Sequence, residues 1–278
     1  MAVDKFVLAE ALTALLGVTV KLQSQVSDSD GAVKLDVTNL PTIALLGYEA
    51  VELLLSPVSY LASLLAGWFI GDQSQTSQET PKKENASSLT KTLFVIPDEF
   101  FDPAYNFDFT HKSKSDADSD CKRGDESYAR PYGWKRFGLK VLNKYPDGNT
   151  WLGTLGWRST SDPGEWPVSY HGTGLEGAEN IVKTHYKAGA REAYGRGIYS
   201  TPDLEVAHGY AQSKQFTSQK NGKTYKVIMQ NRVNPKKRKI IEGKNHWLVP
   251  IPEGTSPAKE KEIVESSIRP YGLLLKEV

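Results

Sequence analysis

Two short runs of the sequence carry residue types that can bind a flat aromatic ring. One is Tyr-His-Gly-Thr-Gly at 170–174, and the other, at 195–211, contains Tyr199 and Tyr210, eleven positions apart. A glycine backbone lets a ligand approach closely, and its N–H and C=O match the acceptor and donor of a carboxamide. Tyrosine rings gain stacking energy on another ring, and more when that ring is positively charged. The two runs therefore predict a site for an aromatic ring with a carboxamide arm, such as nicotinamide.

In this order the two runs resemble motifs of the poly(ADP-ribose) polymerase-type ADP-ribosyltransferases, the class with a diphtheria-toxin-like catalytic domain. Residues 195–199 read Gly-Arg-Gly-Ile-Tyr and are similar to the family's Gly-[Lys/Arg]-Gly-[Ile/Val]-Tyr segment. Residues 170–173 are similar to its histidine-glycine-Ser/Thr motif. The resemblance spans roughly residues 137–275. It implies an α+β fold, with split antiparallel or mixed sheets and short helices.

The resemblance also implies a role for each matching residue. His171 would donate a hydrogen bond to a ribose hydroxyl of NAD, and Gly172 would pair with the nicotinamide carboxamide. Tyr199 and Tyr210 would stack on the nicotinamide ring. The NAD-binding residues that it implies are His171, Gly172, Thr173, Gly197, Tyr199 and Tyr210, and the catalytic residues are His171, Tyr199 and His246.

Two positions depart from the family's pattern. Where the family has a serine that binds the carboxamide, this chain has Ala207, with His208 beside it, so one hydrogen bond is lost or rerouted. The family's third catalytic residue is a glutamate that opens a later strand, and the best match, at 245–250, has His246 in its place. A carboxylate stabilises positive charge that develops on the ribose as nicotinamide leaves, and a neutral histidine stabilises it less. Because that glutamate is associated with chain elongation in the family, we do not expect polymer synthesis.

The sequence thus predicts an NAD-dependent ADP-ribosyltransferase that attaches one ADP-ribose to a protein or nucleic-acid acceptor and releases nicotinamide. The alternative is a catalytically inactive module of the same fold that binds NAD, ADP-ribose or a protein partner, as His246 suggests. NAD is the co-substrate, and we expect no metal. Cys121 is the single cysteine, which excludes a cysteine-based zinc site, and the five histidines lack ligand spacing.

Composition places the chain among ordinary globular proteins. Of its 278 residues 39% are hydrophobic and 24% are charged, and the net charge of +1 gives no general reason to expect nucleic acid as a partner. A single cysteine cannot form an internal disulfide, which is typical of an intracellular protein. The N-terminus lacks the basic segment of a secretory signal. We therefore expect a cytoplasmic location and leave nuclear or membrane association open.

Three regions differ in composition. Residues 1–71 are apolar and helical in their spacing, residues 72–91 predict a disordered linker, and residues 92–278 predict the ADP-ribosyltransferase-like domain. The stretch 53–71 is uncharged and as long as a membrane span, but it contains Pro57 and lacks flanking basic residues. It favours a buried or self-associating helix pair over a membrane helix. Self-association and membrane contact both stay open for residues 1–71.

The last region must supply the elements that hold the motif residues. Apolar or alternating runs predict strands at 93–96, 134–142, 168–170, 225–230, 247–249 and 271–278. Helical spacing predicts helices at 177–187, 203–211 and 260–267. Strands outnumber helices without strict alternation, so we expect antiparallel or mixed sheets. The basic run at 235–239 predicts a solvated loop.

Overall fold

The structure, a computed structural model, describes residues 3–27, 32–38, 40, 93–113, 120–172, 195–212, 215–243 and 245–278. Within these ranges the helices are α1 (Lys5–Leu16), α2 (Leu204–Ala211) and α3 (Pro257–Glu265). The strands are β1 (Thr19–Leu22), β2 (Val33–Lys34), β3 (Leu93–Ile96), β4 (Phe107–Asp108), β5 (Lys122–Arg123), β6 (Glu126–Ser127), β7 (Lys135–Gly138), β8 (Val168–His171), β9 (Gly197–Ser200), β10 (Gln215–Thr217), β11 (Thr224–Val233), β12 (Lys239–Ile241), β13 (His246–Pro250) and β14 (Ile268–Glu277). The predicted linker at 72–91, the apolar stretch at 53–71 and the predicted helix at 177–187 lie outside the described residues. None of the helices in the described ranges is long and apolar enough to cross a lipid bilayer.

A six-stranded antiparallel sheet forms the centre of the fold. Its order is β10-β11-β14-β7-β4, and β8 pairs with β11 further along that strand than β10 does. Alternate residues of a strand point to opposite faces. Val227 and Met229 of β11 pack in the core that contains α1, whereas Ile228 packs in the core that contains α2. Burial on both faces explains why the apolar residues of this strand are consecutive at 227–229 instead of alternating with polar ones.

A second antiparallel sheet, in the order β12-β13-β9, packs against α3. Ile198 of β9, Val249 of β13 and Val264 of α3 share its core. The two sheets meet where Tyr170 of β8 and Thr201, just after β9, exchange backbone hydrogen bonds with N···O distances of 2.7 and 3.0 Å. This junction brings the first predicted motif next to the second.

The described N-terminal residues share a core with the central sheet. β1 and β2 both pair with β3 in a parallel sheet, and Leu8, Leu12 and Leu15 of α1 are buried in one cluster with residues of β11. Part of the helical spacing in residues 1–71 is present as α1, whereas strands β1 and β2 are not indicated by the sequence pattern. Their hydrogen-bond partners come from β3, which lies far along the chain. The buried face of α1 is therefore already occupied within the fold.

Most of the predicted strands are present with shifted ends. The predicted strand at 134–142 is confined to β7, because the backbone turns after it: the N–H of Val141 donates to the oxygen of Leu139 at 2.9 Å. The helix predicted at 260–267 begins three residues earlier, with a proline in its first turn, where the fixed φ of proline suits a helix. The mixed α/β character with antiparallel sheets agrees with the expectation from sequence.

The basic run at 235–239 connects β11 to β12 and is only partly solvated. Lys236 and Lys237 are exposed. Arg238 instead lies 3.6 Å from the centroid of the Trp247 ring and forms an ion pair with Glu126. The predicted solvated loop is therefore confirmed for the two lysines and wrong for Arg238, which ties the loop to β13 and β6.

Candidate functional site

β8 carries His171 at its end and is anchored through the residue before it. The Tyr170 side chain is fully buried, and its hydroxyl donates to the backbone oxygen of Ala129 at 2.7 Å. Burial raises the pKa of Tyr170 well above its ordinary value, so the hydroxyl keeps its proton and remains a donor. His171 is half-buried, and its Nδ1 lies 2.9 Å from the backbone oxygen of Tyr199.

This contact fixes which ring nitrogen of His171 holds the proton. A carbonyl oxygen can only accept a hydrogen bond, so Nδ1 must donate. In the neutral ring Nε2, which is buried, then carries the lone pair and can only accept a hydrogen bond. The predicted donation from His171 to a ribose hydroxyl stays a prediction, and with Nδ1 engaged in this way it requires the imidazolium form.

Tyr199 is held by the Gly-Arg-Gly turn that precedes it. It pairs with Leu248 of β13, its ring is half-buried, and its hydroxyl donates to the backbone oxygen of Gly195 at 2.7 Å. In the same turn the Arg196 guanidinium forms an ion pair with Glu260, a buried residue of α3. The turn is thus tied to the tyrosine ring on one side and to α3 on the other.

Gly197 has a packing reason to be glycine. Its φ is +154°, and a Cβ at this position would lie 2.1 Å from the backbone oxygen of Val249. β13 comes this close because Gly197 pairs with Pro250. The second glycine of the motif therefore sets the position of Tyr199, two residues further on. Its contact with NAD stays a prediction.

The helix that carries Tyr210 rests directly on the end of β8. A Cβ at Gly172 would lie 2.5 Å from the backbone oxygen of Ala207, and Ala207 has no exposed surface. Asp203 fixes the start of this helix, α2, because its carboxylate accepts from the N–H of Glu205 at 2.9 Å. The absence of a side chain at residue 172 is what permits this close packing. Since Ala207 is buried and has no hydroxyl, a carboxamide at Gly172 lacks the serine contact that the family resemblance implies.

His208 has its own contacts beside Ala207. Its Nε2 lies 3.3 Å from the Nζ of Lys226, and its Nδ1 lies 3.4 Å from a carboxylate oxygen of Glu205. Its ring packs edge-on against Trp134, with 5.6 Å between the centroids. Both ring nitrogens are engaged within the fold, so a carboxamide bond rerouted to His208 would have to displace one of these partners.

Tyr210 and His246 meet across α2 and β13. Their ring centroids are 6.1 Å apart and their planes are inclined by 76°, an edge-to-face contact. The Tyr210 side chain is 52% exposed. The start of β13 is held by Thr201, whose hydroxyl donates to the backbone oxygen of Asn245 at 2.6 Å. His246 thus faces the helix of the second tyrosine, and its match to the glutamate position stays a prediction.

The described structure brings the predicted residues to one junction from four elements. His171 from β8 bonds to the backbone of Tyr199 on β9, while Tyr210 of α2 contacts His246 of β13. The contact between Gly172 and α2 joins the two pairs. Thr173 and Gly174, the remaining residues of the first run, lie outside the described residues.

Sequence reasoning missed the groups that hold this junction together. Nothing in the sequence indicates that Arg196 pairs with Glu260, because the two are distant in the chain and each belongs to a polar segment. A detectable signal exists for Arg232, a charged residue three positions after the apolar run 227–229 of β11. A buried charge in such a strand requires partners, and the structure supplies them in Glu165 and in the backbone oxygens of Trp166 and Leu152.

Among the described residues no group of three or more His, Cys, Asp and Glu side chains is placed to hold a metal ion. The chain matches no known family model, and no curated protein is similar to it in sequence.

Proposed function

We propose that the chain is an NAD-dependent ADP-ribosyltransferase that transfers one ADP-ribose to a protein or nucleic-acid acceptor. The observation that supports this most strongly is the convergence of His171, Tyr199, Tyr210 and His246 at one junction between two sheets. Aromatic rings with a few convergent polar groups are typical of small-molecule sites. The large exposed fraction of Tyr210 also favours a binding role, because a ring that served packing alone would be covered.

In this proposal the site grips the nicotinamide end of NAD. Tyr199 and Tyr210 contact the positively charged ring, which favours aromatic neighbours. The backbone of Gly172 pairs with the carboxamide, and a ribose hydroxyl donates to Nε2 of His171. The bond between ribose C1′ and the ring nitrogen then breaks. Its electron pair stays on the nitrogen and neutralises the ring, so nicotinamide leaves uncharged.

His246 governs the transfer to the acceptor in this scheme. The acceptor's nucleophilic atom forms a bond to C1′ and gives up one proton, which the neutral imidazole of His246 can take. A protonated His246 would instead repel the positive charge that develops on the ribose. Because no carboxylate holds the ribose at this position, we expect slow transfer of a single unit and no polymer.

Incubation of the full chain with NAD carrying an isotopic label in its adenylate part tests the proposal. We expect label on the chain itself or on added protein or RNA, together with an equal amount of free nicotinamide detected by chromatography. Label that resists boiling in detergent shows a covalent product. Absence of both label and nicotinamide release would overturn the enzymatic proposal.

A second candidate function is a catalytically inactive module of the same fold that binds NAD or ADP-ribose. It is favoured by His246 at the glutamate position and by the buried Ala207, which offers no hydroxyl to a carboxamide. Binding of NAD without any release of nicotinamide would support this candidate over the enzyme.

A further inference from the structure

A cavity away from the nicotinamide junction is lined by an unusual number of arginines. It has a volume of about 90 Å³, and neither His171, Tyr199, Tyr210 nor His246 borders it. The arginine and tyrosine side chains that line it are Arg123, Arg136, Arg158, Arg232, Tyr105, Tyr128 and Tyr271. Three of them lie on strands β7, β11 and β14 of the central sheet, and the other four lie on β5 or between strands. The cavity therefore borders the central sheet.

Part of this positive charge is balanced by two carboxylates. The Glu165 side chain is completely buried, lies 2.8 Å from an Nη atom of Arg232 and forms an ion pair with Arg158, while Arg123 approaches it to 3.7 Å. Asp162, which is more exposed, lies 3.6 Å from Arg158. Four arginines thus face two carboxylates. The excess positive charge affects Arg123. Its pKa is lowered, first by burial and then by the charge of Arg158.

Two of the arginines retain donor groups that the described residues do not use. The Arg136 side chain forms no hydrogen bond or ion pair there, and its guanidinium carbon lies 5.8 Å from the ring centroid of Phe109 and 5.9 Å from that of Tyr271. Arg232 is 5% exposed, and its buried Nε has no hydrogen-bond partner among those residues, although both Nη atoms do. A buried N–H without a partner costs free energy, which a ligand could recover.

Gly272 of β14 leaves room for the Arg136 side chain to reach the cavity. A Cβ at Gly272 would lie 3.0 Å from Cγ and 3.1 Å from Cδ of Arg136, so any side chain there would push the arginine stem aside. The Tyr271 ring lies next to this stem, and the guanidinium carbon of Arg232 is 5.1 Å from its centroid. Burial raises the pKa of Tyr271 to about 12, so its hydroxyl remains a donor at neutral pH.

We propose that this cavity binds a phosphate group, with Arg136 and the Nε of Arg232 as its cationic donors and the Tyr271 hydroxyl beside them. Guanidinium groups match phosphate oxygens in charge and geometry. A doubly charged phosphate balances the two uncompensated arginines, which a carboxylate would only half balance. The proposal does not depend on the ADP-ribosyltransferase activity, because the two sites share no lining residue.

Three probes distinguish the source of the phosphate by ³¹P NMR titration at constant ionic strength: inorganic phosphate, O-phosphoserine and ADP. We expect inorganic phosphate to broaden on addition of the full chain. Tighter binding of O-phosphoserine would indicate a phosphorylated side chain as the natural ligand, and tighter binding of ADP a nucleotide. Failure of all three phosphorus signals to respond would overturn the proposal.

Arg136→Gln is the decisive variant, and Lys135→Gln is its matched control. Both remove one positive charge from β7, but Lys135 faces Asp108 at 3.7 Å and does not line the cavity. Hydrogen bonds to charged groups contribute about 1.5–3 kcal/mol, so we expect at least about tenfold weaker binding in R136Q and less than twofold in K135Q. Equal weakening in both variants would show that binding responds only to the overall charge of the protein, and it would overturn the proposed site. Tyr271→Phe, which removes only the hydroxyl, should also weaken binding, and R136Q should release nicotinamide from NAD at the rate of the unmodified chain.

Discussion

Two histidines define what the candidate site can do at the scale of single residues. The backbone oxygen of Tyr199 requires His171 to donate through Nδ1, so Nε2 of the neutral ring can only accept a hydrogen bond. In the proposed reaction His246 takes the place of a carboxylate that would stabilise positive charge on the ribose. We therefore propose a site that binds the nicotinamide riboside end of NAD and has only a weak group for breaking its glycosidic bond.

Replacing His246 by glutamate should therefore strengthen catalysis. We expect His246→Glu to raise the rate of nicotinamide release by at least about tenfold, because a carboxylate stabilises the developing charge that the imidazole does not. The rate is measured by chromatography of free nicotinamide. His111→Glu, at an exposed histidine outside the site, is the control and should leave the rate unchanged. A lower rate in H246E would show that the imidazole itself performs the reaction.

A second prediction concerns the close contact between Gly172 and α2. Gly172→Ala places a methyl group 2.5 Å from the backbone oxygen of Ala207, and neither backbone can yield without moving the helix. Overpacking of this kind costs about 1–3 kcal/mol. We expect that loss in chemical denaturation, together with weaker NAD binding.

Gly209→Ala provides the matched control, on the helix α2 that Gly172 contacts. Nothing lies within 4 Å of a Cβ at residue 209, and an alanine in a helix is about 0.5–1 kcal/mol more favourable than glycine. We expect G209A to be as stable as the unmodified chain or more so. Equal stability of G172A and the unmodified chain would contradict the packing described for the site.

At the scale of elements, the junction depends on anchors that are polar and distant in sequence. The bridge between Tyr170 and Thr201 joins the two sheets, and Arg196 joins the motif turn to α3. The motif residues themselves could be found from sequence, since each lies in a run whose order is informative. Their anchors could not, because a pairing such as that of Arg196 with Glu260 depends on how the second sheet folds back, which no local pattern records.

The ion cluster around Glu165 predicts how the stability of the fold depends on pH. Burial alone would raise the pKa of Glu165, but the hydrogen bond from Arg158 and the charge of Arg232 lower it overall from the ordinary 4.5. The folded state then loses stability as the pH falls through 4.5 and below, because the unfolded chain binds the proton more readily. We expect this acid-dependent loss in the unmodified chain.

Glu165→Gln should reduce that dependence and lower stability at neutral pH. It leaves the buried Arg232 without its carboxylate, and breaking a buried pair costs about 3–5 kcal/mol. Denaturant unfolding at pH 7 and at pH 4 measures both effects. A Glu165→Gln variant that unfolds at the same denaturant concentration as the unmodified chain at pH 7 would show that the cluster contributes nothing to stability.

At the scale of the whole molecule, α1 belongs to the core of the central sheet. Leu12 has no exposed surface and lies in one cluster with Val227 and Met229 of β11. Polar contacts support the same packing: the carboxylate of Glu10 accepts from the N–H of Gln219 at 2.9 Å. The apolar composition of α1 can be read from sequence, but not the surface that covers it, since β11 follows it by some two hundred residues.

Leu12→Ala tests this shared core. A buried leucine replaced by alanine costs about 2–5 kcal/mol, and we expect that loss to appear in one cooperative transition of the whole fold. Leu155→Ala, at a leucine that is 54% exposed, should change stability by less than about 0.5 kcal/mol. If the transition of the central sheet, followed by tryptophan fluorescence, were unchanged in L12A, the helix would have to unfold separately.

The central claim is that the junction of β8, β9, α2 and β13 binds nicotinamide, and proton NMR of NAD tests it most directly. On addition of the full chain we expect the nicotinamide ring protons to broaden. In Tyr210→Ala, which removes a half-exposed ring, that broadening should be lost, while His111→Ala should retain it. Nicotinamide signals that stay sharp with the unmodified chain, or that broaden equally with Tyr210→Ala, would contradict the account.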